Sequence, residues 1–310
     1  MSVLRESHGR VSVREFGPLA LKAVRTRMIQ ARHSRTYIND HVGRIKRMFR
    51  WGVENEFVPP GVLQGLQAVG GLKRGRSDAR ETEPVRPVAN EIVDAIRGHV
   101  SKQVWAMIEL QRLTGMRSGE VVSMRGRDLD MSGPLWLYTP STHKTEHQGH
   151  LRAVELGPRA KEIVRPFLKA DLQAYMFSPA DAVANQQVQK RQNRKSKVQP
   201  SQRDRSKPNP IRKAHDRYTT NSYCRAIERG CEKTWPMPNS ITGEVKSARE
   251  WRRTHQWHPH QLRHNYATRI RKEFGVEAAR ILLGHRSTAV TELYAEIDRG
   301  RVQEIVSKVG

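Results

Sequence analysis

The sequence HPHQLRHNYATRIRKEFGVEAARILLGHRSTAVTELY, residues 258–294, decides the interpretation of the whole chain. In its first half, apolar residues recur at a spacing of four and predict one buried face of an α-helix: Leu262, Tyr266 and Ile270. His260 and Arg263 do not belong to that series. The pattern therefore places them together on the other side of the helix.

Two residues mark the predicted ends of this helix. Pro259 suits the first turn, where no backbone amide hydrogen is needed, and Gly275 suits the C-terminal end. His260 and Arg263 then lie near the helix N-terminus. Because the unpaired amides and the dipole at that end attract anions, a phosphate group fits there.

The second half of the stretch predicts two further helices. An apolar segment, residues 276–283, is followed by Gly284, which suits a helix C-cap and leaves His285 just beyond it. A serine or threonine next caps a helix that carries Tyr294. Two histidines, an arginine and a tyrosine on three connected helices are the groups required to attack a phosphodiester with a phenolic oxygen.

The order and spacing of these residues resemble the C-terminal box of the tyrosine recombinase (phage integrase) family. That box contains His-x-x-Arg, found here at His260 and Arg263, then Leu-Gly-His ending at His285, and a nucleophilic tyrosine, matched by Tyr294 nine residues later. The match covers residue type, order and spacing together.

A second motif lies upstream, in the sequence LTGMRSGEVVSM. Gly115 permits a tight turn between two helices, and Ser118 suits the cap of the second one, so Arg117 lies on the turn. The segment resembles the first arginine motif of the same family, Thr-Gly-x-Arg-x-x-Glu, with Glu120 in the last position. Taken alone, this motif is more typical of an arginine that merely caps a helix.

Residues 128–156 change to a strand pattern and predict a β-hairpin, PLWLYTPS and LRAVEL flanking a polar turn. The family places its catalytic lysine in this hairpin, and Lys144 is the lysine at the start of the turn. A solvated turn lysine is the alternative. The histidines of the same turn have a spacing that fits no tetrahedral metal site.

The resemblance implies a role for each matched residue. Arg117 and Arg263 would bind the nonbridging phosphate oxygens and His285 would donate a further hydrogen bond. Tyr294 would attack, with His260 as base or orienting group and Lys144 as acid for the 5′-hydroxyl. Glu120 would hold the first arginine in place. A 3′-phosphotyrosyl bond would conserve the bond energy, so neither ATP, a metal nor any other cofactor is expected.

The composition agrees with a nucleic-acid partner. The chain of 310 residues has 56 lysines and arginines against 31 acids and a formal charge of +25, which favours a polyanion. No apolar run approaches the roughly 20 residues of a membrane-spanning helix. With two cysteines too widely spaced for a zinc site, the prediction is a soluble, cytoplasmic, nucleoid-associated prokaryotic protein without a membrane partner.

The expected fold is mainly α with a small β-sheet (α+β) in two domains. Residues 1–75 would form a helical core-binding domain that clamps DNA, 76–90 a linker and 91–310 a mixed α/β catalytic domain. Residues 185–217 are rich in lysine and arginine and poor in large apolar residues, which predicts an insertion that is disordered without DNA. It either lies along the phosphate backbone or is a surface insertion without a specific role.

Two groups of basic residues are candidate DNA contacts, with a solvated surface as the alternative. The first group lies on the polar side of a helix predicted from Ser34 to Asn55, a segment that resembles the later helices of the family's core-binding domain: Arg44, Lys46, Arg47 and Arg50. The second lies in the insertion: Lys190, Arg191, Arg194 and Lys195.

The remaining segments have simpler patterns. From Val11 a short strand or extended arm is expected, followed by a helix with Phe16, Leu19 and Met28 on its apolar face. Further predictions are a helix at 160–172, a strand at MFSP (176–179), a helix at 219–233 and a loop-rich segment at 234–257.

Together these features predict a site-specific recombinase, the integrase of a phage, transposon or other mobile element. It would act on double-stranded recombination sites as a homotetramer, be a monomer in solution, and work with an accessory DNA-bending or directionality protein. Two alternatives remain: a type IB topoisomerase-like enzyme that relaxes supercoils, and a catalytically inactive DNA-binding accessory protein.

Overall fold

The computed structural model describes residues 2–141, 152–197, 199, 214–241, 243–285 and 291. The chain divides into two compact units, Met1–Pro84 (unit 1) and Val85–Gly310 (unit 2). The described part is mainly helical with one small antiparallel sheet, as predicted. No helix in these residues is both long and apolar enough to cross a membrane.

Unit 1 contains four helices: α1 (Ser2–His8), α2 (Pro18–Gln30), α3 (Arg35–Glu54) and α4 (Pro60–Gln67). Helix α3 confirms the predicted helix from Ser34, whose side chain accepts a hydrogen bond from the amide of Tyr37 and so satisfies an end that the helix itself leaves unpaired. The apolar faces of the helices enclose one core, which includes Phe16, Leu21, Ile38, Ile45, Phe49 and Leu66.

Three details of unit 1 differ from the prediction. The segment that begins at Val11, where a short strand or extended arm was expected, forms a bend and a turn and contains no strand, and helix α1 precedes it. Leu19, predicted to face inward, is 79% exposed, because the buried series of α2 is Leu21, Val24 and Met28. Lys46, predicted on the exposed face of α3, is half-buried and donates a hydrogen bond to the carbonyl of Val69 at 2.6 Å.

The stretch predicted as a linker, 76–90, is anchored at both ends. Ala79 is buried in the core of unit 1, and Arg35 pairs with Glu81 at 2.7 Å. Val88 is buried in the core of unit 2, where its amide donates to the side chain of Asn265 at 2.8 Å. Residues 82–86 between these anchors are exposed.

The helices and strands of unit 2 surround α6 (Lys102–Thr114), which is buried along most of its length. The other helices are α5 (Asn90–Ala95), α7 (Ser118–Val122), α8 (Pro158–Val164), α9 (Pro179–Gln192), α10 (Thr220–Thr234), α11 (Val245–His255), α12 (Pro259–Phe274) and α13 (Val276–Leu283). The strands are β1 (Leu129–Asp130), β2 (Trp136–Tyr138) and β3 (Val154–Leu156), joined antiparallel in that order.

The predicted hairpin is formed by β2 and β3, with Trp136 opposite Leu156 and Tyr138 opposite Val154. One face of this pair is buried, and the hydroxyl of the fully buried Tyr138 donates to the carbonyl of Glu120 at 2.7 Å. The sheet is thereby attached directly to the turn that carries the first arginine motif.

Four predicted segments of unit 2 take another form. The helix at 160–172 is interrupted at Pro166, where a short 3-10 helix, Arg165–Phe167, follows α8. Met176 and Phe177 are buried but form no strand. The supposedly loop-rich 234–257 contains α11. Residues 185–192 of the predicted disordered insertion continue α9, which starts at Pro179 with a serine cap and buries none of its residues.

Candidate active site

The first arginine motif lies on the turn between α6 and α7. Gly115 ends α6 with a φ of +63°, a backbone conformation that favours glycine. Arg117, not the predicted Ser118, holds the N-cap position of α7. Its amide donates to Glu120 Oε2 and its Nη1 to Glu120 Oε1, both at 2.8 Å. Glu120 therefore holds both the backbone and the guanidinium of Arg117.

The second arginine, Arg263, is completely buried in the first part of α12. Its Nη1 donates to the carbonyl of Gly115 at 2.7 Å, and its Nη2 donates to the carbonyl of Leu283 at 2.7 Å. The same Nη2 lies 2.9 Å from Nε2 of His285. One side chain of α12 thus joins the turn after α6 to the end of α13.

The burial of Arg263 corrects the prediction that it lies opposite an apolar face. Leu262, Tyr266 and Ile270 are buried as expected, but Arg263 and His264 are buried as well. Helix α12 packs against both α6 and α13, so more than one of its faces is covered. Arg263 can be buried because two backbone carbonyls accept hydrogen bonds from its guanidinium: that of Gly115 after α6 and that of Leu283 at the end of α13.

His285 lies directly after the C-cap of α13, where Gly284 has a φ of +62°. The side chain is buried, with Nδ1 3.0 Å from the hydroxyl of the equally buried Thr291. Because a guanidinium is always a donor, Nε2 of His285 accepts from Arg263, and the single N–H of the neutral ring points from Nδ1 to Thr291.

This assignment agrees with the electrostatics of the ring. Burial, followed by the positive charges of Arg263, Arg117 and Arg152, lowers the pKa of His285 to about 4. The ring is therefore neutral at physiological pH. The expected donation from His285 to phosphate requires the ring proton to move from Nδ1 to Nε2, because in this arrangement Nε2 is an acceptor that orients Arg263.

His260 lies in the first turn of α12 and is half-buried, with its ring 5.1 Å from that of His264 in an edge arrangement and 6.4 Å from that of His258. The prediction that it shares the N-terminal part of this helix with Arg263 is confirmed. Burial lowers the pKa of the neighbouring His258. A histidine-rich helix start thus adjoins the buried arginine.

A third arginine, Arg152, belongs to this cluster and was missed in the sequence. It is 6% exposed, with Nε 3.5 Å from Glu120 Oε1 and Nη1 donating to the carbonyl of Leu282 at 3.2 Å. A signal was available: Arg152, Val154 and Leu156 alternate along the predicted strand LRAVEL, so the strand period places the arginine on the buried face.

Glu120 is the acidic group between two of these arginines. Its own burial acts to raise the pKa of the carboxyl, but the charges of Arg152 and Arg117 and the hydrogen bonds from Arg117 outweigh burial and lower it. Burial lowers the pKa of Arg152, which nevertheless stays far above neutrality as for any arginine. The described part of the site is therefore a set of fixed positive groups around a single shared carboxylate.

Lys144 and Tyr294 lie outside the described residues. The structure brings together Arg117, Glu120, Arg263 and His285, and it places His260 on the helix of Arg263. Among the described residues, no group of three or more histidine, cysteine, aspartate and glutamate side chains is placed to hold a metal ion.

The candidate DNA contacts have different environments. Arg44, Arg47 and Arg50 are exposed on α3, whereas Lys46 is bonded within unit 1. All four basic residues of the second group are exposed: Lys190 and Arg191 at the end of α9, and Arg194 and Lys195 just after it. Seven of the eight side chains are thus open to solvent.

The fold occurs in known proteins. The Tn1549 transposon integrase (residues 82–397), in complex with circular intermediate DNA, has a TM-score of 0.58 at 14% identity over 98% of this chain and 89% of its own. A lambda integrase (75–356) dimer bound to a COC′ core site has a TM-score of 0.61 at 15% identity, over 97% of this chain and 86% of its own. At such identities the likeness shows the fold.

No curated protein matches this chain in sequence. The family model described as the phage integrase family matches residues 87–301, which contain every segment of the arginine and histidine cluster. Because that match spans well over half of the 310 residues, the chain belongs to the phage integrase family, the tyrosine recombinases.

Proposed function

We propose that this protein is a site-specific DNA recombinase that cleaves and rejoins its sites through a 3′-phosphotyrosyl intermediate on Tyr294. The observation that carries the proposal is the set of bonds made by Arg263, which ties the turn of Arg117 to His285. Motifs that are distant in the sequence of unit 2 are thereby joined in one cationic cluster in a member of this family.

The chemistry follows from the charges of the cluster. A phosphodiester resists attack because its anionic oxygens repel nucleophiles, and preorganised guanidinium groups offset that repulsion. Arg117 is partly exposed and directs its remaining donors toward substrate, while the buried Arg263 supplies the charge behind it. Tyr294, with an ordinary pKa of about 10, reacts as a phenoxide in this field.

The remaining roles complete the reaction. His260 orients or deprotonates the tyrosine and Lys144 protonates the 5′-hydroxyl that leaves. Since the phosphotyrosyl bond conserves the energy of the broken phosphodiester, rejoining requires neither ATP nor a metal. His285 orients Arg263 in the resting site. It donates to the phosphate when substrate displaces the Arg263 N–H from Nε2 and the ring proton moves from Nδ1 to Nε2.

Unit 1 serves as the core-binding clamp and unit 2 as the catalytic domain, with double-stranded DNA as the partner. The protein acts as the integrase of a mobile element, alongside an accessory DNA-bending or directionality protein, in the cytoplasm of a prokaryote. It is a monomer in solution and a homotetramer on recombination sites. The Tn1549 integrase bound to circular intermediate DNA supports the mobile-element assignment, and the DNA-bound lambda integrase dimer supports assembly on DNA.

The test is a nicked suicide substrate, presented as a library of candidate sites, without metal or ATP. Wild type should form a covalent protein–DNA band on a denaturing gel, and Tyr294→Phe should form none. An unchanged band in Tyr294→Phe contradicts the assignment of the nucleophile. Tight, salt-sensitive binding without a band in either protein favours the accessory DNA-binding alternative, and supercoil relaxation without strand exchange favours a topoisomerase.

A further inference from the structure

Arg152 is a buried cation that connects two parts of the cluster. It lies just before β3 and is 6% exposed, and among the described residues its Nη2 has no hydrogen-bond partner. A buried guanidinium is costly unless it is paired, so its position depends on the two contacts that it makes, with Glu120 and with the carbonyl of Leu282.

The contact with Glu120 affects the availability of Arg117. Both arginines approach the same carboxylate oxygen, Oε1, at 2.8 Å from Nη1 of Arg117 and 3.5 Å from Nε of Arg152. The negative charge is therefore shared between two cations. Without Arg152, Glu120 would attract Arg117 alone, and that guanidinium would be held more firmly away from an anionic substrate.

The other contact affects the turn that precedes His285. Arg152 and Arg263 donate to successive carbonyls at the C-terminal end of α13, those of Leu282 and Leu283. These carbonyls have no partner within a helix, so the two arginines satisfy them. A Cβ atom at Gly284 would lie 2.7 Å from Nη1 of Arg152, which shows how closely the guanidinium packs on the turn.

We propose that Arg152 is a positioning residue for strand cleavage, a brace that holds the Arg117–Glu120 turn and the Leu282–His285 turn at their working separation. The inference rests on the proposed function. Arg152 acts through Arg117 and His285, and no contact between it and substrate is required.

The test compares Arg152→Met and Arg152→Lys with wild type and with Arg159→Met, which removes one exposed arginine of α8 in the same unit. In single-turnover cleavage of the suicide substrate, Arg152→Met should be about 100-fold slower, because small displacements of positioned groups cost that much. Its affinity for the DNA site should stay within about threefold of wild type. Arg159→Met should behave as wild type.

Arg152→Lys separates position from charge. A lysine ammonium cannot reproduce the planar fork that reaches Glu120 and Leu282 together, so about tenfold of the lost rate should return and the rest should not. If Arg152→Met does not fold, the lysine variant decides: a folded protein with slower cleavage supports the brace, and one with the wild-type rate overturns it.

A second readout does not depend on activity. The ring signal of His285, assigned in protein labelled on histidine by its loss in His285→Gln, should move in Arg152→Met and stay unchanged in Arg159→Met. Wild type that forms no covalent band refutes the proposed function, and the His285 signal still decides the inference. An unmoved signal, or a wild-type cleavage rate in Arg152→Met, overturns the assignment of Arg152.

Discussion

Gly115→Ala tests the packing that brings the two arginine motifs together. The carbonyl of Gly115 accepts from Arg263, and its φ of +63° lies in the left-handed region. An added Cβ would lie 2.3 Å from Cδ1 and 2.8 Å from Cγ of Tyr266, and 3.0 Å from Cδ2 of Leu283. Tyr266 is 6% exposed, so its ring has no room to swing into solvent.

The magnitude follows from two contributions. A left-handed backbone costs a residue with a Cβ about 1–2 kcal/mol. Forcing an extra methyl group into a filled core costs about 1–3 kcal/mol. Gly115→Ala should therefore lower the free energy of unfolding of unit 2 by about 2–5 kcal/mol, and the displaced carbonyl should also slow covalent complex formation because it positions Arg263.

Urea unfolding followed by tryptophan fluorescence measures this loss. A Trp51→Phe background removes the tryptophan of unit 1, so that the other five of the six tryptophans report on unit 2. Gly275→Ala is the matched control in the same unit, because Gly275 also has a positive φ, +92°, but open space around its Cβ position. It should lose only the backbone contribution, about 1–3 kcal/mol.

Two results would refute this reasoning. The first is a loss in Gly115→Ala below about 2 kcal/mol, which the backbone contribution alone would explain, since of these two glycines only Gly115 has the close contact. The second is full additivity of Gly115→Ala and Tyr266→Ala in a double-mutant cycle. If the overlap with the ring is real, the double variant must be less destabilised than the sum of the single variants.

Three further predictions concern the site and the DNA-binding surface. The folded state keeps His285 neutral with a pKa of about 4, whereas the same histidine in the unfolded chain gains a proton below about pH 6.5. About 3 kcal/mol of folding stability, fully present above pH 6.5, should therefore be lost as the pH falls to 4. Urea midpoints of His285→Gln should lack this loss. Thr291→Val removes the acceptor for the His285 N–H and should slow single-turnover cleavage about tenfold, whereas Thr291→Ser keeps a hydroxyl and should cleave at the wild-type rate. Equal cleavage rates in the valine and serine variants would show that this hydrogen bond does not affect cleavage. The third change is glutamine at the four exposed basic positions in and after α9: Lys190, Arg191, Arg194 and Lys195. The log–log slope of DNA affinity against salt concentration should become shallower by about 0.9 for each phosphate that the protein no longer neutralises. An unchanged slope would show that these residues do not contact DNA.

Local patterns in the sequence determined the elements that carry the site. The spacing of Leu262, Tyr266 and Ile270 and the flanking Pro259 and Gly275 predicted α12 with its correct ends, because helix periodicity and end residues are properties of short segments. The same holds for the hairpin and for the turn at Gly115. Motif spacing also identified the family.

Local patterns failed where a segment is dominated by polar residues. Helix α11 was expected to be loop because its residues are mostly polar, and the end of α9 was expected to be disordered because it offers no apolar face to bury. Ser178 caps α9, whereas α11 has no side-chain cap, so both helices depend largely on intrinsic preference, which gives a weak signal in sequence.

Only the tertiary structure decided how the charged groups are arranged. Periodicity placed Arg263 on a polar face, whereas packing of α12 against α6 and α13 buries it, and the carbonyls of Gly115 and Leu283 accept its protons. Arg152 joined the site for the same reason, through Glu120 and Leu282. Residue type and spacing show which groups can form a site. Which donor meets which acceptor depends on contacts between segments that are distant in the sequence, and those contacts exist only once the core has packed.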